Sequence, residues 1–430
     1  MAHFGIVCRE DAGHLLSIGP LGNELVRRGH QVTFVAREKA AGIAEQLGLP
    51  LHKVNYDDVP WRGSFFEWAA FSLFHSGWRI TMRDGFRWRA EAVLRKMPEA
   101  FRELKLDGVI VDQTVSSAGT AAQRVGIPFV TICSAVLWNE EPDVPPQYTD
   151  WLYGEDRHSR RRNRLGYAAW HWFNRLELKT INHYRKQWGM SRFARIDDAF
   201  SPLAQISQMC PGFDFPRKQI GPQFHYIGSL ASQRRVVNEP PFPWDRLDGR
   251  PLVFASLGTV PDPHNPPVFR KILAACRGLD AQLVLALGKW EEEEKPVREL
   301  LGSIPDNALV VDFAPQLALL DRASLLVTHA GVNTVLEAIC RGVPMVALPR
   351  SADQPAMGAR VVYSGVGLRG SFRRSTPEQL RELIQRVLAD DSFRQRCRAL
   401  GQTMTAAGGV QRAAEITEQA LLSCRPVCGA

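Results

Sequence analysis

The chemistry-bearing residues of this chain gather at the ends of apolar runs. The run SLLVT stops at His329-Ala330-Gly331-Val332-Asn333-Thr334, where a helical pattern with Leu336, Ile339 and a stopping Gly342 begins. A helix N-terminus offers unpaired N–H groups and about half a positive charge, a seat for an anion. His329, Gly331, Asn333 and Thr334 add donors and close backbone access, a set that suits a diphosphate. Glu337 lies eight residues past His329, just over two helical turns on, and suits ribose hydroxyls. Asp353 and Gln354 follow the next apolar run, PMVALP, and suit the hydroxyls of a sugar. Upstream, Ser256, Gly258 and Thr259 end another run in a small polar turn, a second phosphate contact.

A second constellation lies near the start. Asp11-Ala12-Gly13-His14 follows the first apolar run and opens a helix, and Asp112 closes the run Gly108–Val111. A histidine beside a buried carboxylate suits general-base catalysis. Imidazole titrates near neutral pH, and the carboxylate fixes its tautomer and stabilises the imidazolium. Each residue also has a plainer reading. Histidines near helix starts are often caps, Asp112 could N-cap the next helix, and a glutamate such as Glu337 is more often a solvated helix residue.

The elements that must position these groups alternate between strand and helix. His3–Cys8, Gln31–Ala36, Gly108–Asp112 and Pro128–Ser134 read as strands in the first half. Pro251–Leu257, Ala281–Leu287, Ala308–Phe313, Ser324–Thr328 and Pro344–Leu348 repeat the grammar in the second. Strands separated by helices predict parallel sheets covered on both faces. With 430 residues, the expected architecture is α/β: two doubly wound, Rossmann-like domains facing across a cleft. Residues 1–235 form the first domain, the proline-bearing 236–250 the linker and 251–430 the second, with C-terminal helices packing back on the first. The stretches Trp61–Met97 and Trp151–Ser191 read as helical decoration of the first domain.

The block FAPQ…LLVTHAGVNTVLEAICRGVPMVALPRSADQ resembles the donor-binding signature of UDP-glycosyltransferases with the GT-B fold. The resemblance implies that Phe313 stacks on or near the uracil, where plant members carry Trp. Pro315 and Gln316 belong to the same donor-side signature. It implies that His329, Asn333 and Thr334 hold the diphosphate, Glu337 the ribose, and Asp353 with Gln354 the hexose. The family also places a His after the first strand and an Asp after the fourth, which makes His14 and Asp112 the catalytic pair. His14 would take the acceptor proton, UDP would leave from the opposite face and the anomeric configuration would invert. No D-x-D occurs in the chain, so no metal or cofactor is expected, and the helix dipole with His329 would stabilise the leaving diphosphate.

Further segments, Asp107–Gln113, Asn139–Pro145, Phe200–Gln208, Asp214–Lys218 and Phe254–Thr259, are similar to the bacterial carotenoid (zeaxanthin) glucosyltransferases. That resemblance implies transfer of glucose from UDP-glucose to the ring hydroxyls of a carotenoid, at one end and then the other. The alternatives are another lipophilic alcohol, such as a sterol or polyketide aglycone, or a GT-B-type nucleotide-sugar epimerase. A dinucleotide oxidoreductase is disfavoured, because no G-x-G-x-x-G follows a strand.

Composition bears on the acceptor and its surroundings. Aromatics crowd between Trp61 and Trp88 among arginines, and Phe71, Phe74 and Trp78, with Trp138, are candidate lining for a lipophilic acceptor. The net charge of +8 is local, since 151–196 holds eleven basic and three acidic residues. No nucleic-acid motif accompanies it, so an anionic membrane surface is the expected partner and nucleic acid is not. A helical subdomain with solvated arginines would explain the same composition. No run reaches the roughly 18 apolar residues of a spanning helix. The absence of a basic, apolar leader and of any C-x-x-C predicts a cytoplasmic protein, peripheral on the inner membrane face.

Overall fold

The computed structural model describes residues 1–59, 77–230, 241–258, 265–288 and 297–429, without the side chains of 77–84 and 297. Phe71, Phe74 and Thr259 therefore lie outside the described residues, as does the side chain of Trp78.

The first sheet contains β1 (His3–Val7), β2 (Gln31–Ala36), β3 (Leu51–Lys53), β4 (Gly108–Asp112), β5 (Phe129–Cys133), β6 (Gln205–Ser207) and β7 (Phe224–Tyr226). Its order is β3-β2-β1-β4-β5-β6-β7, parallel throughout. The second contains β8 (Leu252–Ser256), β9 (Gln282–Ala286), β10 (Ala308–Val311), β11 (Ala323–Thr328), β12 (Met345–Ala347) and β13 (Gly367–Arg369). Its order is β10-β9-β8-β11-β12-β13, also parallel. These are the two doubly wound sheets expected from the strand–helix alternation. The short strands β3, β6, β7 and β13 were not among the expected ones, whereas β12, equally short, was, because the apolar run Pro344–Leu348 extends beyond it on both sides.

Side-chain alternation along each strand feeds a core on both faces. Phe4 and Ile6 of β1 pack with Leu15 and Ile18 on one side, while Val7 joins Val35, Val109 and Val111 on the other. In the second sheet Leu252 and Phe254 face one core, Val253 and Ala255 the opposite one.

The chain returns at its end to the first domain. Helix Gly409–Ser423 buries Val410, Ala413, Ala414, Ile416, Ala420 and Leu421 in the core that holds Phe4 and Leu15. Met209, Cys210 and Phe213 of the first domain in turn pack among Leu336, Ile339 and Met357 of the second. Beside them lies a buried ion cluster. Asp214 Oδ1 accepts from Arg360 Nε at 2.8 Å, and Oδ2 accepts from Arg217 Nε at 3.1 Å and the Tyr226 hydroxyl at 2.8 Å. Among the described residues no helix is long and apolar enough to cross a membrane.

Candidate active site

Open parallel sheets bind ligands beyond their carboxyl edges, at the point where the strand order reverses. In the first sheet that point lies between β1 and β4, and in the second between β8 and β11. His14 and Asp112 follow the first pair of strands; Ser256, Gly258 and His329 follow the second. The two edges face each other. Asn333 Nδ2 donates to the Gly13 carbonyl at 2.9 Å, and the Val136 N–H points to Asp353 Oδ2 at 3.4 Å.

His14 and Asp112 are brought together. His14 Nδ1 lies 2.6 Å from Asp112 Oδ2, and the carboxylate is fully buried while the imidazole stays partly open. The other oxygen, Oδ1, accepts the Thr114 N–H at 2.9 Å. The cap reading and the dyad reading of Asp112 therefore hold at once, one per oxygen. Burial pushes the Asp112 carboxyl up, but His14, the Thr114 N–H and the Ser134 hydroxyl together hold it below the usual carboxylate range. An ionised acceptor at Nδ1 keeps the proton there, which leaves the lone pair on Nε2.

Ser134 is a participant that the sequence reading missed. Its Oγ lies 2.9 Å from both Asp112 Oδ2 and His14 Nδ1, at the end of β5 beside β4. The signal was present, since Ser134 closes an expected strand, but nothing in the sequence says that this strand adjoins β4.

On the donor-side edge, Gly331 N-caps the helix Val332–Cys340, whose first turn carries no acidic residue to neutralise its dipole. Gly258 (φ +99°) and Gly331 leave room for His329: a Cβ on Gly331 would sit 2.6 Å from His329 Nε2, and one on Gly258 3.1 Å. Burial drives His329 down to about 4, aided by the nearby Arg350 charge, so the ring is neutral at pH 7. Any contribution to a diphosphate is then a hydrogen bond from a neutral ring, in keeping with the donor role expected of His329. Its buried Nδ1 has no partner among the described residues.

Gln316 Nε2 donates to Glu337 Oε2 at 2.5 Å and reaches Thr334 Oγ1 at 3.4 Å, which joins three of the expected donor residues. Phe313 is 46% exposed two residues before Pro315, an open ring at the same edge. Gln354 Oε1 accepts the Arg350 and Ser351 N–H groups and so ties down its own loop. Burial raises the half-buried Asp353, opposed by the Val136 N–H and by His14 across the cleft. Ala330 (φ +64°) and Ala352 (φ +56°) hold left-handed conformations immediately beside Gly331 and Asp353. Strain of this kind persists where surrounding structure over-determines the loop.

Asn333 donates one of its two amide hydrogens to the Gly13 carbonyl, a tie across the cleft. Trp138 is buried, edge-on to Phe86 at 6.1 Å and to Trp170 at 5.1 Å, inside an aromatic cluster rather than along an open wall. On the helix side of that cluster, Glu177 is buried with Oε1 bound to Ser116 Oγ at 2.8 Å and Oε2 without a partner among the described residues. Burial pushes it up to about 7. It was counted in the sequence only as a charge.

Residues 270–419 match the family model of the erythromycin biosynthesis protein CIII-like C-terminal domain. The chain is 34% identical to a zeaxanthin glucosyltransferase of Pantoea ananas, across 99% of this chain and 98% of that one. It is 31% identical to a zeaxanthin glucosyltransferase of Pseudescherichia vulneris, across 99% and 100%. Among solved structures, the glycotransferase of kitacinnamycin superposes with a TM-score of 0.73 at 23% identity, covering 98% of this chain and 99% of that one. The calicheamicin glycosyltransferase CalG4 does so with a TM-score of 0.72 at 21% identity, covering 99% and 100%.

Proposed function

The chain belongs to the GT-B UDP-glycosyltransferase family, and from that premise we propose that it moves glucose from UDP-glucose to zeaxanthin, giving the mono- and then the diglucoside. The observation that carries the chemistry is the His14–Asp112–Ser134 group on one carboxyl edge, facing the Gly331 helix terminus on the other. The acceptor rests on the names of the two relatives above 30% identity.

In this mechanism His14 Nε2 takes the proton of the acceptor hydroxyl as that oxygen attacks the anomeric carbon. Asp112 stabilises the imidazolium that forms, with Nδ1–H already donated to it. The bond from the anomeric carbon to the UDP oxygen breaks on the far side of the sugar, so the configuration inverts. Charge growing on the diphosphate meets the free N–H groups of helix Val332–Cys340, the neutral His329 and the turn at Ser256 and Gly258. Phe313 takes the uracil, Gln316 and Glu337 the ribose, and Asp353 with Gln354 the hexose. This reading asks for no metal.

The test is incubation of the purified protein with UDP-glucose and a panel of lipophilic alcohols that includes zeaxanthin, followed by mass analysis. Zeaxanthin glucosides are expected. Glucosylation of a sterol or polyketide aglycone in their place would overturn the acceptor. Isomerised UDP-sugar in the acceptor-free control would favour an epimerase.

A further inference from the structure

The helix Arg157–Gln187 runs 31 residues, about 46 Å at 1.5 Å per residue, and its two faces differ in kind. The inner face buries Asn163, Tyr167, Trp170, Asn174, Glu177 and Ile181. Trp170 on that face, with the partly buried Phe173, packs against Trp138 and Phe86 of the aromatic cluster. Arg161, Leu165, Ala168, Trp172, Arg175 and Lys179 recur on the outer face at i, i+4, i+7, i+11, i+14 and i+18, and all six are exposed. Leu165 is 66% and Trp172 54% exposed, and the Arg175 guanidinium stands 4.9 Å from the Trp172 ring centroid. The helix holds a single acidic residue, Glu177, and it is buried on the opposite face.

We propose that this outer stripe is a docking surface for an anionic lipid bilayer. Large apolar side chains interleaved with cations along one straight line match a headgroup plane. Arg and Lys meet lipid phosphates there, while Leu and Trp enter the acyl boundary. A helix is about 10–12 Å across, so docking brings the bilayer within one helix diameter of the aromatic cluster on the acceptor side. The use of such docking rests on the lipophilic acceptor proposed above. The binding itself does not, and it is measured without acceptor.

The experiment is flotation of the full-length protein with phosphatidylcholine vesicles, with and without about one-third phosphatidylglycerol, at low and high salt. Retention only on anionic vesicles is expected, with loss at high salt. The Leu165→Glu/Trp172→Glu double variant should bind at least about tenfold more weakly. Its glucosyl transfer to a short, water-soluble alcohol should match wild type, which shows that the variant is folded. No retention at low salt, or equal retention of wild type and variant, overturns the proposal. So does binding to a soluble acidic polypeptide with none to vesicles. Failure of the wild type to glucosylate any alcohol, with flotation intact, counts against the proposed function and leaves the docking surface standing.

Discussion

Asn333 Nδ2 donates to the carbonyl of Gly13 at 2.9 Å, a bond between residues 320 positions apart that joins the first turn of the donor-side helix to the residue before His14. It ties the proposed general base to the proposed diphosphate seat across the cleft. Asn333→Ala should lower kcat/KM for UDP-glucose by up to about tenfold, the worth of one such hydrogen bond. Steady-state kinetics with the donor varied is the measurement, and an unchanged value would assign the contact to packing alone.

The dyad predicts a sharper effect. His14→Ala should reduce turnover by about 10²–10⁴ while UDP binding, followed by calorimetry, persists. Asp112→Asn should also fall steeply, because an amide can donate to Nδ1 and stabilise the wrong tautomer. Near-normal turnover in His14→Ala would refute the general-base role.

Gly331→Ala tests the seat of His329. The new Cβ would stand 2.6 Å from Nε2, closer than real contacts allow, so the ring must move. The donor KM should rise, and His329→Ala in the same chain should add little further. Additive losses would mean that the two residues act independently.

Asp214 carries a stability prediction. Its carboxyl is fully buried; burial pushes it up, but Arg217 and Arg360 outweigh that and bring it to about 2. A carboxylate depressed in this way contributes fully above its unfolded value near 4 and loses that contribution as pH falls towards 2. Asp214→Ala, which strands two buried guanidiniums, should cost about 3–5 kcal/mol at pH 7. Denaturant midpoints across pH would show the gap to wild type closing on acidification.

Glu177 predicts the opposite slope. Burial raises it from an ordinary carboxyl value to about 7, so the folded state holds a proton that the unfolded state releases. Stability must fall as pH rises from roughly 4.5 through 7. Glu177→Gln keeps a partner for Ser116 and removes the ionisation. It should match wild type at pH 4 and exceed it at pH 8, by up to about 3 kcal/mol. Parallel melting curves at the two pH values would sink this.

Much of the donor edge was legible because its parts lie close in sequence. His329, Gly331, Asn333, Thr334 and Glu337 share one strand–turn–helix, so their nearness follows from helix geometry and spacing, while the roles proposed for them come from the resemblance of the block to the donor signature. The strands within longer apolar runs were legible for the same reason, whereas β3, β6, β7 and β13 lie in no such run. Trp138 misled because an aromatic near a site looks the same in sequence whether it lines a cleft or fills a core. The burial of His329, which depresses its pKa, was out of sight too.

By itself the sequence determined the strand–helix alternation, the two parallel sheets, the strand–turn–helix around His329 and the basic character of 151–196. Each is a pattern of residue types within some forty positions. Only the tertiary structure decided which strand ends adjoin. It alone put Ser134 on the dyad from 120 residues away, paired Arg360 with Asp214 across 146, and decided that the helix face bearing Leu165 and Trp172 stays exposed. The physical reason is that strand order, and with it every contact across the cleft, is set by how the hydrophobic faces of whole elements pack. No local period records that choice.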